Sequence, residues 1–245
     1  MVRLLSVPSN WKIIATSVGI QVGVSIESIR SHVARTGRGN FAVTSGVVLL
    51  IRHAHTDAIG NWLAGRAAGV PLSMEGAVQA QRLADALSER YRIAAVYTSP
   101  LERAQATAAA LAHRQQVGID ICEELSEIDF GAWTGRTFAA LEADPAWLLF
   151  NRARSRALIP GGERVQDVQT RMVRAIADVS ARDPGSTIAV VSHGDPLRFA
   201  LLYYQDMSID RYPELELEPA SVSAVRLTSE GPRILYINDP TFAAA

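Results

Sequence analysis

The sequence predicts an α/β protein: a three-layer α/β/α sandwich around a mixed, mostly parallel sheet. Three observations predict it. Val47-Val48-Leu49-Leu50-Ile51 and Thr187-Ile188-Ala189-Val190-Val191 are uninterrupted aliphatic runs, the mark of strands covered on both faces. Stretches with helical spacing lie between such runs, so strands and helices alternate along the chain. The composition is globular, with 48% hydrophobic and 20% charged residues, enough apolar material for a core.

The elements follow in order. Residues 1–45 read as an N-terminal extension outside the core. They are basic, with Glu27 as the sole acid, they show no clean period, and Thr36-Gly37-Arg38-Gly39-Asn40 resembles a linker. Deleting about the first 42 residues is therefore expected to leave folding and turnover nearly intact. The domain proper is expected over 46–245. Glu75 to Arg90 is helical, with Val78, Leu83, Ala84 and Leu87 on one face and Ser73 where an N-cap belongs. Ala94-Ala95-Val96-Tyr97 is a second strand. Ser99-Pro100-Leu101-Glu102 predicts a capping box opening a helix to about His113. Val117 to Cys122 is strand-like, with Cys122 a buried small hydrophobe. Glu163 to Arg182 is a long helix, and Asp195-Pro196 caps a short one ending near Tyr204. Ser221 to Leu227 and Arg233 to Ile237 alternate like edge strands about the turn Ser229-Glu230-Gly231-Pro232.

Several function classes drop out. A formal net charge of −1 creates no global field toward nucleic acid or anionic lipid, so any anion site is a local cluster. The apolar stretch Ile13 to Ile26 is too short and too interrupted to span a membrane, and it lacks a convincing signal-peptide pattern. One cysteine excludes an intrachain disulfide and a thiolate zinc site; a reducing, cytoplasmic location is the simple reading. Lys12 is the only lysine, so the domain carries neither a Walker-type lysine nor a Schiff-base lysine.

What remains is a constellation at strand ends. Arg52 and His53 follow the first strand, Arg103 falls in the first helical turn after the second, and His193 follows the Thr187 strand. In an open α/β sheet the carboxyl ends of strands border the ligand crevice, so these four residues are expected to converge. Two guanidiniums and two imidazoles suit a phosphoryl group: Arg matches its oxygens bidentately, and histidine can act as a covalent nucleophile.

Five ordered motifs extend this reading: Arg52-His53-Ala54-His55-Thr56, Ser99-Pro100-Leu101-Glu102-Arg103, Glu124 to Gly135, Pro160-Gly161-Gly162-Glu163 and Val191-Ser192-His193-Gly194. With Gly65-Arg66 and Pro71 to Gly76 they make the chain, over about Val47 to Asn238, resemble the histidine phosphatase, or phosphoglycerate mutase-like, superfamily. The resemblance implies a phosphomonoester hydrolase that uses no metal or other cofactor and acts on a small phosphorylated metabolite. His53 would be the nucleophile that becomes phosphohistidine. Arg52, Arg103 and His193 would hold the phosphoryl oxygens, and Glu127 would be the proton donor, with Asp129 the lesser candidate. Asn61, Arg66, His55 and Gly194 are candidate substrate contacts. Ala54 and His55 depart from the usual Gly and Glu/Gln; His55 either lines the pocket or serves as a structural hydrogen-bonding residue. Trp133, Trp147 and Phe150 read as core before substrate wall, and Arg152-Ala153-Arg154-Ser155-Arg156 as a solvated basic face before pocket edge.

Three other functions stay open. A phosphoglycerate-type mutase is disfavoured by a short Phe138–Pro160 region without lysine. A metallohydrolase would use His53-Ala54-His55 as a metal pair, against the charge of Arg52. A non-catalytic phosphate-binding module would be expected to have lost the nucleophile or the acid. The specific phosphomonoester and the oligomeric state are not written in the sequence.

Overall fold

Alternate residues of the first strand point to two different cores. The structure is a computed structural model that describes residues 46–244; the expectations for residues 1–45 lie outside the described residues. In β1 (Gly46–Arg52), Val48 and Leu50 enter one apolar cluster while Leu49 and Ile51 enter the other. A strand that is apolar at every position can do this only when both faces of its sheet are covered. Full burial of each such side chain is worth about 1.5–3 kcal/mol.

The covering helices come from the segments between strands. On the Leu49 face pack α1 (Met74–Arg90) and α2 (Glu102–Gln115), the latter entered from β2 (Ile93–Thr98). Ser73 caps α1 by accepting from the Gly76 amide, and Leu83, Ala84 and Leu87 are buried as expected. Val78 is exposed, a correction: it lies off the buried stripe. The capping box at Ser99 is also absent. Leu101 occupies the N-cap without a side-chain bond of its own, and the Ser99 hydroxyl accepts from the Leu101 amide at 3.2 Å while it also bonds His193 Nε2.

Beyond β3 (Ile119–Ile121), α3 (Phe138–Leu141), α4 (Pro145–Arg152) and α5 (Val165–Arg182) contribute to the core on the Val48 face. They are joined there by α6 (Gly194–Tyr204), which comes after β4 (Thr187–Ser192). Cys122, expected buried, is half-buried, with its thiol against the Glu124 carboxylate. The chain ends with β5 (Val222–Thr228), β6 (Gly231–Asp239) and the short α7 (Thr241–Ala244).

The sheet order is β3-β2-β4-β1-β5-β6. β3, β2, β4 and β1 run parallel, β5 is antiparallel to β1, and β6 is antiparallel to β5. β5 is thus an interior strand, not the edge strand expected; its first four residues are buried between β1 and β6. The consequence for function is that β1, β4 and β2 are adjacent and parallel, so their carboxyl ends open on one crevice. Register brings Arg52 beside Ser192 and Thr98 beside Val191.

Candidate active site

His53 is the first residue past β1, and its amide donates to Ser192 O at 2.9 Å, continuing the ladder one step beyond the strand. His193 leaves β4 at the same level, and the two imidazoles meet edge to face with centroids 5.2 Å apart. Arg103, in the first turn of α2, reaches back under both. Its Nε donates to His53 Nε2 at 3.2 Å and its NH2 to Gly65 O at 2.7 Å. Three sheet neighbours therefore deliver three of the expected residues to one point.

The hydrogen bonds fix which nitrogen of His53 can react. Nδ1 lies 2.8 Å from Ala54 O, an acceptor only, so Nδ1 carries the proton and donates. Nε2 then holds the lone pair. Burial, with the charges of Arg103 and Arg52, holds the imidazole pKa well below its ordinary value, so His53 is neutral. A neutral imidazole with its tautomer fixed has the properties of a nucleophile.

The guanidiniums supply the matching charge. Arg52 donates from NH1 to Leu217 O at 2.5 Å, while its buried Nε has no partner among the described residues. An unpaired buried donor of this kind calls for an anion. Gly194 closes on the same atom: a Cβ there would lie 3.4 Å from Arg52 Nε. His193 is fully buried, with Nε2 bonded to Ser99 Oγ at 2.7 Å and Nδ1 unpartnered among the described residues. It stands behind His53 and contributes no wall to the cavity.

Glu127 faces the cavity from the loop before the Gly131 turn. Burial and the nearby Asp195 carboxylate push its pKa up to about 7, against the opposing pull of Arg103 and Arg52. It can hold a proton near neutrality and release it on demand. The loop is clamped from outside. The Glu127 carbonyl accepts from Arg66 Nε at 2.8 Å and Arg171 NH2 at 3.1 Å, and both arginines pair with Glu163. Gly131 has φ +48°, and a Cβ there would come 2.3 Å from Pro160 O, so only glycine lets the loop seat on the Pro160 turn.

The cavity is about 340 Å³. Its floor is Arg52, His53, Arg103 and Gly194, with Glu127 at the side. Its outer wall comes from α4 and the residues near it: Trp147, Phe150, Arg154, Arg198 and Tyr212. Trp133 is core, as expected, whereas Trp147 and Phe150 serve both core and wall. Arg154 is a correction: it is 6% exposed rather than solvated, held between the Phe150 and Tyr212 rings and paired with Asp195 at 3.1 Å.

Three substrate candidates lie elsewhere. His55 turns away, its Nδ1 2.9 Å from Ser73 Oγ and its amide bonded to Gln79, so it serves the α1 junction. Asn61 is exposed and bonds Asp57 O, outside the cavity lining. Arg66 is occupied as a clamp on the Glu127 loop. Asp129 accepts from the Gly131 amide and does not line the cavity. Arg171, Asp195, Arg198 and Tyr212 escape sequence reasoning, because they carry no motif of their own. Among the described residues no three His, Cys, Asp or Glu side chains gather as a metal site would require, and no helix is long and apolar enough to cross a membrane.

The strand ends of this α/β sheet thus gather two arginines around a neutral histidine, an arrangement whose charge suits an anion. The chain belongs to the histidine phosphatase superfamily (branch 1), whose family model matches residues 48–240. It is 34% identical over 187 residues to a bifunctional protein of Mycobacterium tuberculosis, covering 75% of this chain and 51% of that one. The chain thus spans about half the length of that relative. It is 28% identical to phosphoserine phosphatase 1 of Hydrogenobacter thermophilus over 200 residues, 78% of this chain and 91% of the relative. The solved structure of Bacillus stearothermophilus YhfR superposes with a TM-score of 0.75 at 28% identity, covering 79% of this chain and 97% of that one.

Proposed function

We propose that the protein hydrolyses a small phosphomonoester through a phosphohistidine on His53, without a metal ion. The observation that carries this reading is the His53 tautomer: Nδ1 committed to Ala54 O and Nε2 facing the cavity beside Arg103. In the first step Arg103 Nε, which donates to Nε2, turns to a phosphoryl oxygen, and the freed Nε2 lone pair attacks phosphorus as the P–O ester bond breaks. Arg52 and Arg103 balance the charge on the phosphoryl oxygens, while His193, buried behind His53, packs against its ring. Glu127 gives its proton to the departing alkoxide. Water then attacks the phosphohistidine, Glu127 takes a proton from that water, and inorganic phosphate leaves. The relatives named as phosphatases support the reaction class, and the cavity size suits a metabolite at the small end of ligand pockets. A soluble cytoplasmic enzyme fits this reading.

The test is a burst experiment with labelled substrate in excess chelator, quenched without acid and mapped. Label on His53 supports the mechanism. Activity abolished by chelator and restored by a divalent metal overturns it in favour of a metallohydrolase, although His53 and His55 engage different partners.

A further inference from the structure

The reactive tautomer of His53 hangs on one backbone oxygen. Among the described residues Ala54 O is the partner of Nδ1, so the proton stays on Nδ1 only while that carbonyl keeps its direction. Two helices hold it, one through each neighbouring peptide. Thr107 lies one turn past Arg103 in α2 and is fully buried. Its hydroxyl donates to Arg103 O at 2.8 Å, a back-bond open to a threonine inside a helix, and this uses its one hydrogen. The oxygen lone pair accepts from the Ala54 amide at 3.0 Å. Gln79, in α1, acts on the next peptide. Its Nε2 donates to the Glu75 carboxylate at 3.2 Å, which leaves Oε1 as the acceptor for the His55 amide at 2.9 Å. The His55 N–H and the Ala54 C=O belong to one planar peptide and point opposite ways, so a hold on the first aims the second. The Ala54 methyl is packed in the core on the Leu49 face.

We propose that Thr107 and Gln79 are positioning residues for the reaction: they clamp the two peptides that flank Ala54, and so keep the His53 proton on Nδ1 and the lone pair on Nε2. This rests on the phosphatase reading above and deepens it. With Thr107 the contacts close a ring that begins and ends on Arg103. The Arg103 carbonyl holds Thr107, Thr107 holds the Ala54 amide, the Ala54 carbonyl holds Nδ1, and Nε2 accepts from Arg103 Nε at 3.2 Å. The nucleophile and the guanidinium beside it are therefore set relative to each other by a single turn of α2. Neither Thr107 nor Gln79 lines the cavity, so their effect on the reaction runs through His53.

Thr107→Val keeps the shape of the side chain and removes the hydroxyl, leaving the Ala54 amide an unpaired buried donor. The carbonyl then loses its fixed direction, and the Nε2–H form of His53 gains population. The burst rate of His53 phosphorylation should fall by about 10- to 100-fold, the scale of a misplaced reacting group. KM should change by less than about threefold. The loss should be equal for an aryl and a sugar phosphate, because both meet the same nucleophile. Thr107→Ser restores the hydroxyl and should recover most of the rate. Gln79→Met should lower the rate in the same way, and Gln79→Glu, which keeps an acceptor, should recover part of it. Nitrogen NMR of isotope-labelled histidine reads the tautomer directly; five histidines keep the spectrum sparse, and His53→Ala identifies the signal. The wild type should carry the His53 proton on Nδ1 alone, and both Thr107→Val and Gln79→Met should show the second tautomer. If Thr107→Val fails to fold, Gln79→Met decides. A lower melting temperature with the wild-type burst rate, or a lower rate with the proton still wholly on Nδ1, overturns the clamp while phosphatase activity stands. A wild type that hydrolyses no phosphomonoester overturns the phosphatase reading, and the tautomer alone then decides the clamp.

Discussion

The floor and the outer wall of the cavity are built by different means. The floor is made where neighbouring parallel strands end: β1 supplies Arg52 and His53, β2 leads into Arg103, and β4 leads into Gly194, with His193 buried behind His53. Each side chain is set by a ladder register, and each is legible as a short motif after an aliphatic run. The wall is made by α4, the first turns of α6 and the Tyr212 turn, segments separated by tens of residues and joined through the Arg154–Asp195 pair. Strand ends can be placed from sequence because strand direction and period determine them. Helix faces that meet only in the folded chain cannot. The difference predicts that changes in the floor affect every substrate, while changes in the wall sort among them.

The largest effect should come from the floor. His53→Ala removes the covalent route and should lower kcat by more than the loss of one charge contact, which costs on the order of 10²–10³ in comparable sites. Arg103→Ala should fall in that range, since it takes away a phosphoryl contact and the donor at His53 Nε2. Steady-state kinetics on an aryl phosphate and a sugar phosphate check both. A variant impaired on only one of the two would place these residues in the wall and collapse the distinction. The pH dependence of stability has a definite sign here. Burial and the neighbouring arginines hold His53 and His193 neutral, with folded pKa values below the ordinary 6.5. The fold therefore keeps its full stability above about 6.5 and loses it as pH falls through that value, because the unfolded chain takes up protons first. Thermal melts from pH 8 to 5 should show the midpoint dropping on the acid side.

Glu127 stands between the two regions, and its effect should depend on the leaving group. Glu127→Gln should slow phosphorylation of His53 by about 10²-fold or more for a sugar phosphate and far less for an aryl phosphate, whose leaving group scarcely needs a proton. Its raised pKa, about 7, means the acid form is present below that pH and lost above it. The burst rate with a poor leaving group should fall as pH rises through about 7. Asp195→Asn removes one of the groups raising that pKa, so the fall should begin at lower pH. Equal losses on both substrates would remove Glu127 from the acid role.

A smaller effect should come from the outside of the acid loop. In the sequence Arg66 reads as a substrate contact because the family resemblance puts it where such contacts are often added, and nothing there says that its guanidinium binds the Glu127 carbonyl and Glu163 instead. Arg171 has no sequence signal at all; one arginine on the surface of a long helix looks like any other until the loop folds onto it. Arg66→Ala leaves Arg171 on the same carbonyl, so the loop should loosen rather than detach. The expected result is a loss of about 2- to 10-fold in kcat with poor leaving groups and little change in KM. A rise in KM with kcat unchanged would return Arg66 to the substrate.

The smallest effect tests the floor at its finest grain. His53 and His55 are two residues apart in one motif, and sequence alone leaves His55 open between pocket and scaffold. Packing against α1 separates the two. The Gly76 turn of α1 presses on the loop, so that a Cβ on Gly76 would lie 2.0 Å from His55 O, and Ser73 meets both the carbonyl and the imidazole of His55. This junction holds His55 to the helix and leaves His53 to the cavity. His55→Ala should therefore cost about one partly exposed hydrogen bond, roughly 0.5–1.5 kcal/mol of stability. It should change kcat by less than about threefold on every substrate. His55→Gln keeps an amide able to bond Ser73 Oγ and should recover part of the melting temperature. Melting curves and aryl phosphate turnover read the two quantities separately. A hundredfold loss of turnover in a fully folded His55→Ala would show that the second imidazole belongs to the floor after all, and that the register of this loop differs from the one described.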